Sequence, residues 1–418
     1  MSVKDVRLSI APIAALLASV GLLVLGNGLL GTLLVVRAGN ENFAGETIGI
    51  MMSVYFAGYA LGSVLLSRII VSTGHIRAFA GFASVASVTA LLHLLFINPL
   101  VWTLLRAVTG FTYAGLILVV ESWLNAHAVT ATRGRLLSLY GVVTMGVWAL
   151  GQGLLNLSSP DGIVLFLVVS ILLSLALTPI TLLPSRPPTI PQQERLSLYR
   201  MLTLSPLGTL GAFLSGLALS AFWGMGPNFA QQNGLDTAGI SIFMASVLAG
   251  ALVLQWPLGW LSDHAPRRLV IAGAALAAAA AAAGFVLVGT AGLPVLLTLG
   301  FLFGGFGIPL YTLCVAHAND RLQVGEMLAA ARGLLLLNGL GAAIGPFMAS
   351  LFMSRQGPSG LFAYAGALLV VLATVALLRR AQGQVETAVA SPLPCTPQIA
   401  LALDTRAGDG GPGKPYRS

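Results

Sequence analysis

Long apolar runs dominate the chain, and polar residues gather in short breaks between them. A helix that crosses a bilayer needs about 20 mostly apolar residues. Charge-free stretches at 8–36, 47–67, 136–160, 162–185, 201–235, 237–262, 333–354 and 356–378 each predict one span. Two longer tracts predict two spans each: Asn98-Pro99 divides 78–120, and the segment Gly289 to Pro294 divides 269–319. The pattern therefore predicts twelve helices. The runs are continuous, whereas barrel strands would alternate in polarity over about ten residues. The first run ends in no small-residue cleavage site, so it reads as a retained helix.

Composition agrees with the pattern. Hydrophobic residues make up 57% of the 418 positions and charged residues 8%. Soluble domains carry about 25% charged residues, so a soluble enzyme is excluded. The net charge of +8 has its explanation in where the bases lie. With a cytoplasmic N-terminus, 18 of the 21 Lys and Arg fall in cytoplasmic loops. Arg37 and Arg355 fall on the other side, and Arg106 lies inside a span. That bias predicts both termini inside and leaves no reason to invoke nucleic acid. Cys314 and Cys395 predict neither a disulfide nor a metal cluster.

The longest interior polar stretch, 184–206, holds four prolines between 184 and 191. Proline breaks helices, so this stretch reads as a linker. The expected organisation is a six-helix bundle over 1–184, a cytoplasmic linker over 185–204, a second bundle over 205–380 and a disordered tail over 381–418. The halves show a parallel repeat. Gly58 plus 192 gives Gly250, Gly110 plus 194 gives Gly304, and Asn125 plus 194 gives Asn319. RGRLLSLYG (133–141) plus 198 gives ARGLLLLNG (331–339). Two repeated six-helix halves are a transporter layout.

On this layout the chain resembles the major facilitator superfamily. The loop Gly259-Trp-Leu-Ser-Asp263-His264-Ala-Pro266-Arg267-Arg268 is similar to that superfamily's G-x-x-x-D-[RK]-x-G-[RK]-[RK] signature, with His264 and Pro266 as departures. The matching loop after span two, Ser67 to Arg77, has Val71 where the acid would stand. Arg106-x-x-x-Gly110 resembles the superfamily's fourth-helix motif. VVESWLN (119–125), RGRLLSLY (133–140) and PLYTLCVAHANDRL (309–322) are similar to the uncharacterised bacterial YcaD-like branch. The resemblance spans roughly residues 8–380. It implies an all-α polytopic fold of twelve helices in two pseudo-symmetric six-helix bundles, and it ties the matching arginine to coupling. Helix five lacks the Gly-Pro pair of the facilitator antiporters, and Gly345-Pro346 stands in its repeat mate. That weighs against drug–proton antiport.

Several residues carry candidate chemistry. Arg106 is the only base inside a span. A central Arg costs about 2.5–3.5 kcal/mol on insertion scales, so it calls for a use. It reads as an anchor for an anionic substrate or a group sensing proton movement, against the plainer reading that it bonds backbone carbonyls at a helix break. Glu121 is the only carboxylate inside a span. It shares a helix face with Arg106 but lies about 22 Å along the axis. Three readings stay open: pairing with Arg77, Arg133 or Arg135 at a gate, proton carriage, or plain solvation. Asp263 with Arg267 and Arg268 reads as a latch, which the resemblance also implies, and Asp320 and Arg321 join the gate set. Candidate cavity residues are Asn27, Trp148, Gln152, Trp223, Asn228, Gln255, Tyr311 and Asn338, each with interhelical bonding as its plainer role. Glycines 141, 146, 151 and 153 on helix five, and Gly341 with Gly345 on helix eleven, predict close helix approach.

With Lys4 and Lys414 the only lysines, no Walker loop is present, and neither a Ser/His/Asp set nor HExxH occurs. The expectation is a non-enzyme without cofactor or metal: a secondary active transporter of a small-molecule substrate working by alternating access, driven by protons or another gradient. The expected setting is the lipid bilayer of the bacterial inner membrane, as a monomer. The alternative is a non-transporting receptor or assembly factor on the same fold.

Overall fold

The computed structural model describes residues 3–127, 133–181, 198–288, 292–322 and 327–378. Within them lie twelve helices long and apolar enough to cross a membrane. In chain order the first half holds α1 (Ile13–Asn40), α2 (Gly45–Thr73), α3 (His75–Leu95), α4 (Pro99–Leu124), α5 (Ser138–Leu157) and α6 (Val164–Thr181). The second half holds α7 (Pro206–Gln232), α8 (Thr237–His264), α9 (Arg267–Val288), α10 (Leu293–Asn319), α11 (Ala330–Gln356) and α12 (Gly360–Leu378). The two halves form two six-helix bundles. The expected breaks occur at Asn98-Pro99, where the Asn98 side chain accepts from the Leu100 amide at 2.9 Å, and before Leu293. Two spans are interrupted within: α6 at Ala176, and α10 at Ile308, just before Pro309, which has no amide to donate. The linker expected over 185–204 is described only at its end, where Leu198–Leu204 form a short helix. Its remainder, and the tail 381–418, lie outside the described residues.

The repeat read from the sequence reappears as matched helix crossings. A Cβ on Gly58 would overlap the Ala107 carbonyl, and one on Gly110 would overlap the Tyr55 carbonyl, so α2 and α4 touch backbone to backbone. In the second half a Cβ on Gly250 would meet the Phe301 carbonyl, and one on Gly304 the Val247 carbonyl, joining α8 to α10. All four residues of the second contact are the repeat mates of the first. One turn further the roles exchange: Gly62 admits the Phe111 carbonyl, whereas Gly305 is covered by Leu254. Small residues at such crossings let dispersion and weak polar contacts hold helices together in lipid, where no hydrophobic force does so.

The bundles meet along α2 against α11, α5 against α8, and α1 against α7. The first two seams are repeat images of each other. On helix eleven the expected close approach is present, since Cβ atoms on Gly341 and Gly345 would meet the α7 backbone at Phe213 and Leu217. On helix five only Gly151 behaves as expected, approaching Leu25 of α1. Gly141, Gly146 and Gly153 face open space, so their lack of a side chain serves no helix contact there.

Candidate functional site: a buried arginine behind the bundle seam

Gly110 explains the Arg106-x-x-x-Gly110 spacing. Because α4 rests on the backbone of α2 at Tyr55, the residue one turn earlier, Arg106, is brought over the Tyr55 ring. The guanidinium carbon lies 3.9 Å from the ring centroid. Arg106 is 1% exposed. Its Nη2 donates to the Met52 thioether at 3.7 Å, a weak acceptor. Its Nε and Nη1 are buried without an acceptor among the described residues. A desolvated cation on a ring gains about 2 kcal/mol, which does not satisfy those donors. The reading in which Arg106 bonds backbone carbonyls finds no such bond among the described residues. The Tyr55 hydroxyl is held by Asn27 of α1, whose Nδ2 donates to it at 3.0 Å. Met52 sits at the seam itself, where Gly224 of α7 leaves room for both Met52 and Pro346 of α11.

The seam is polar at the end where α1 turns into α2. Trp148 of α5 stacks on Trp223 of α7 with centroids 4.4 Å apart and planes at 27°. Gly28 of α1 makes the space for Trp148. Gln152 accepts from Thr32 at 2.7 Å through its side chain and from Ser241 of α8 through its backbone oxygen. On the repeat-related seam, the Phe347 amide of α11 donates to Ser53 of α2 at 2.9 Å. Gln231 of α7 donates to the Asn40 side chain at 2.7 Å and to the Val36 carbonyl at 3.2 Å. Asn40 in turn donates to Asp161 at 2.7 Å. Arg37 pairs with Glu41 at 2.6 Å and reaches Asp161 at 3.5 Å. Sequence reasoning missed Arg37, Asn40, Asp161 and Gln231. Arg37, a base on the sparsely charged side with an acid four residues on, was the available signal.

Glu121 is 2% exposed and accepts from the Tyr140 hydroxyl of α5 at 3.1 Å. The sequence reading offered it arginine partners and missed this tyrosine. Arg77 is exposed, and the side chains of Arg133 and Arg135 lie outside the described residues. Between Arg106 and Glu121, on the same face of α4, stands buried Tyr113, its ring 6.3 Å from Tyr59. A tyrosine thus touches each ionisable group, and two more stand between them.

At the opposite end of the second bundle, Arg267 bridges two acids. Its Nη2 lies 3.1 Å from Asp263 and its Nε 2.9 Å from Asp320. One side chain at the start of α9 thereby ties the ends of α8 and α10. Burial pushes the Asp320 carboxyl above the usual carboxylate range; Arg267 opposes this, Asp263 adds to it and Arg321 opposes it. Arg268 and Arg321 are half-buried beside this corner. His264, which departs from the signature, folds back on Trp260 with centroids 4.4 Å apart. The repeat mate of Arg267 is His75, and that of His317 is Trp123. In the first bundle these two stack at 5.9 Å, so an aromatic contact stands where the second bundle holds ions.

The remaining candidates are placed separately. Asn228 is buried and accepts from Gln232 at 2.9 Å. Asn338 donates to the Ala212 carbonyl at 2.9 Å, tying α11 to α7. Tyr311 is buried among Met201, Ala212, Val315 and Leu334. Gln255 is half-buried on α8. The structure therefore gathers Asn27 and Arg106 through Tyr55, and Trp148, Gln152 and Trp223 along the seam. It sets Asn338 and Tyr311 within the second bundle.

Comparison with known proteins matches this architecture. A family model described as Major Facilitator Superfamily matches residues 208–402. An uncharacterized MFS-type transporter of Enterobacter sp. (strain 638) is 27% identical over 387 residues, 91% of this chain and 98% of that protein. The uncharacterized MFS-type transporter YcaD of Escherichia fergusonii is 27% identical, over 84% of this chain and 91% of its own. Among solved structures, the nucleoside transporter NupG superposes with a TM-score of 0.70 at 15% identity, over 88% of this chain and 98% of that one. An inward-facing, occupied bacterial homologue of the human lysosomal transporter Spinster gives 0.71 at 13% identity, over 88% and 95%. Its helices, its repeat and these likenesses together make the chain a multi-pass membrane transporter with the major facilitator fold, similar in sequence to the YcaD-like branch of that superfamily.

Proposed function

We propose that the protein is a secondary transporter that moves a small solute by alternating access, with the bundles 1–184 and 205–380 rocking about a site near Asn27, Tyr55 and Arg106. The observation that carries this reading is the pair of seams, α2 on α11 and α5 on α8, which are images of one another under the internal repeat. A rotation that parts one seam parts its image in the same movement, so a single rigid-body step opens that end. The hydrogen bonds described across the seams, from Gln231 to Asn40, Ser241 to Gln152 and Phe347 to Ser53, gather at the end of the α1–α2 turn. With both termini cytoplasmic, that end is external, and the conformation is closed outside. Trp148 and Trp223 are the external gate in this reading. Glu121, held by Tyr140, is the proton carrier, and the Asp263–Arg267–Asp320 corner braces the cytoplasmic end.

The test is flux in proteoliposomes together with crosslinking of cysteine pairs placed at each end of the bundles. A transporter gives solute-dependent flux and crosslinks at both ends in turn. Crosslinks at the external end alone, without flux of any solute, would assign the fold to a receptor or assembly role instead.

A further inference from the structure

Arg106 is a buried cation whose donors are largely unmet among the described residues. Guanidinium carries five N–H donors and stays charged at any physiological pH. Here one nitrogen meets a thioether and two more have no acceptor among the described residues. Among the described residues its electrostatic neighbours are Tyr55 and His93, and no carboxylate pairs with it there. The tyrosine hydroxyl beside it is already engaged by Asn27, so it does not turn to help. A buried charged donor left unmet costs more than a neutral one. A state in which an oxygen anion reaches this side chain is therefore strongly favoured over one in which none does.

A route to it runs from the external seam. Arg106 lies seven residues from the start of α4, about 10 Å from the external end. Met52 separates it from the seam, and Met52 is pressed against Gly224 of α7 and beside Pro346 of α11. When α2 parts from α7 and α11, Met52 loses both neighbours, and its flexible side chain can swing aside. Tyr55 lies against the guanidinium, and Trp223, the residue before Gly224, stacks on Trp148, so aromatic rings line this part of the seam.

Resting on the transporter reading, we propose that Arg106 is the anchor for an organic anion with an aromatic or apolar body, exposed only when the external seam opens and shielded by Met52 when it is shut. A carboxylate would replace the thioether at Nη2 and engage one of the unmet donors. Because the open form alone offers these bonds, the anion shifts the population toward it.

The experiment uses the purified full chain and two acids, benzoate and indole-3-acetate, each against its neutral amide, benzamide and indole-3-acetamide. Binding is read by saturation-transfer NMR and titration. Both acids are expected to bind at least about tenfold more tightly than their amides, the scale of one hydrogen bond to a charged group. Arg106→Gln should erase the preference for acid. Met52→Ala, which removes the shield and keeps the arginine, should raise acid affinity; it covers the case in which Arg106→Gln fails to fold. Equal binding of acid and amide, or no acid binding to either the natural protein or Met52→Ala, overturns the proposal. Distances between spin labels at Asn42 and Asn233 separate this from the transporter reading. Acid binding with a single distance throughout would sink alternating access and the shielding by the seam, and leave only the anchoring by Arg106 standing. Two distances whose ratio ignores both acids would sink the anchor and leave alternating access standing.

Discussion

Arg106 of α4 rests face-on over the Tyr55 ring of α2 at 3.9 Å, and the close crossing at Gly110 sets that distance. Guanidinium geometry is not reproduced by an ammonium group, which is compact and more strongly hydrated. Arg106→Ala is expected to abolish flux while expression persists, and Arg106→Lys to retain little. Tyr55→Leu should weaken flux less than Arg106→Ala, since the charge remains. Proteoliposome uptake measures all three, and full activity of Arg106→Ala would remove the residue from the mechanism.

The glycine crossings make a stability prediction with an internal control. Gly58→Val and Gly250→Val each drive a side chain into a facing carbonyl. Each should cost on the order of 1–3 kcal/mol, the usual penalty of overpacking. Gly141→Val faces open space and should cost far less. Thermal unfolding in detergent ranks the three. Equal melting temperatures would show that the crossings relax freely.

Mild acid should act on the α8–α10 corner through Asp320. Its carboxyl lies above the usual range because of burial, so it takes up its proton at a higher pH than an ordinary aspartate. On acidification the Arg267–Asp320 pair is therefore lost while exposed carboxylates are still ionised. A label pair on the ends of α8 and α10 should widen as pH falls, and Asp320→Asn should show the wide distance at neutral pH. A distance that does not change with pH would count against the corner as an ionic brace.

Glu121 and Tyr140 separate coupling from scaffolding. If Glu121 carries the proton, Glu121→Gln leaves solute exchange intact and removes the response to a pH gradient. Tyr140→Phe, which deletes the donor and keeps the ring, should alter the pH dependence of gradient-driven uptake without abolishing exchange. Parallel loss of uptake and exchange in both variants would make the pair structural. Continued concentration of solute by Glu121→Gln on a proton gradient would dismiss it as carrier.

The fold was legible because lipid imposes few solutions. Unbroken apolar runs, Asn98-Pro99 and the Gly289–Pro294 segment marked the spans and their breaks, and Gly58 with Gly110 foretold Gly250 with Gly304. The site was half legible. Arg106 and Glu121 stood out as charges in apolar runs, but their companions did not. Tyr55, Tyr113 and Tyr140 look like ordinary packing residues in a span, and only the crossing of α2 with α4 and the reach of Tyr140 from α5 to Glu121 give them partners. Gln231 and Asn40 stand 191 positions apart and join across the seam, which no periodicity announces. The helix-five glycines misled because spacing marks where a helix can be approached, not whether a neighbour comes.

The stacking of His75 on Trp123, where the other half holds Arg267 and its acids, leaves the two inner corners electrically unlike. Ionic strength thereby becomes a one-sided handle. Dissolved ions screen the partly exposed charges at the end of α8 within a Debye length of about 8–10 Å. The His75–Trp123 contact of the first half is a ring stack, which dissolved ions screen far less. Raising salt should therefore loosen the Arg267 corner more than the His75–Trp123 stack, giving two repeat-related corners an asymmetric response to their surroundings.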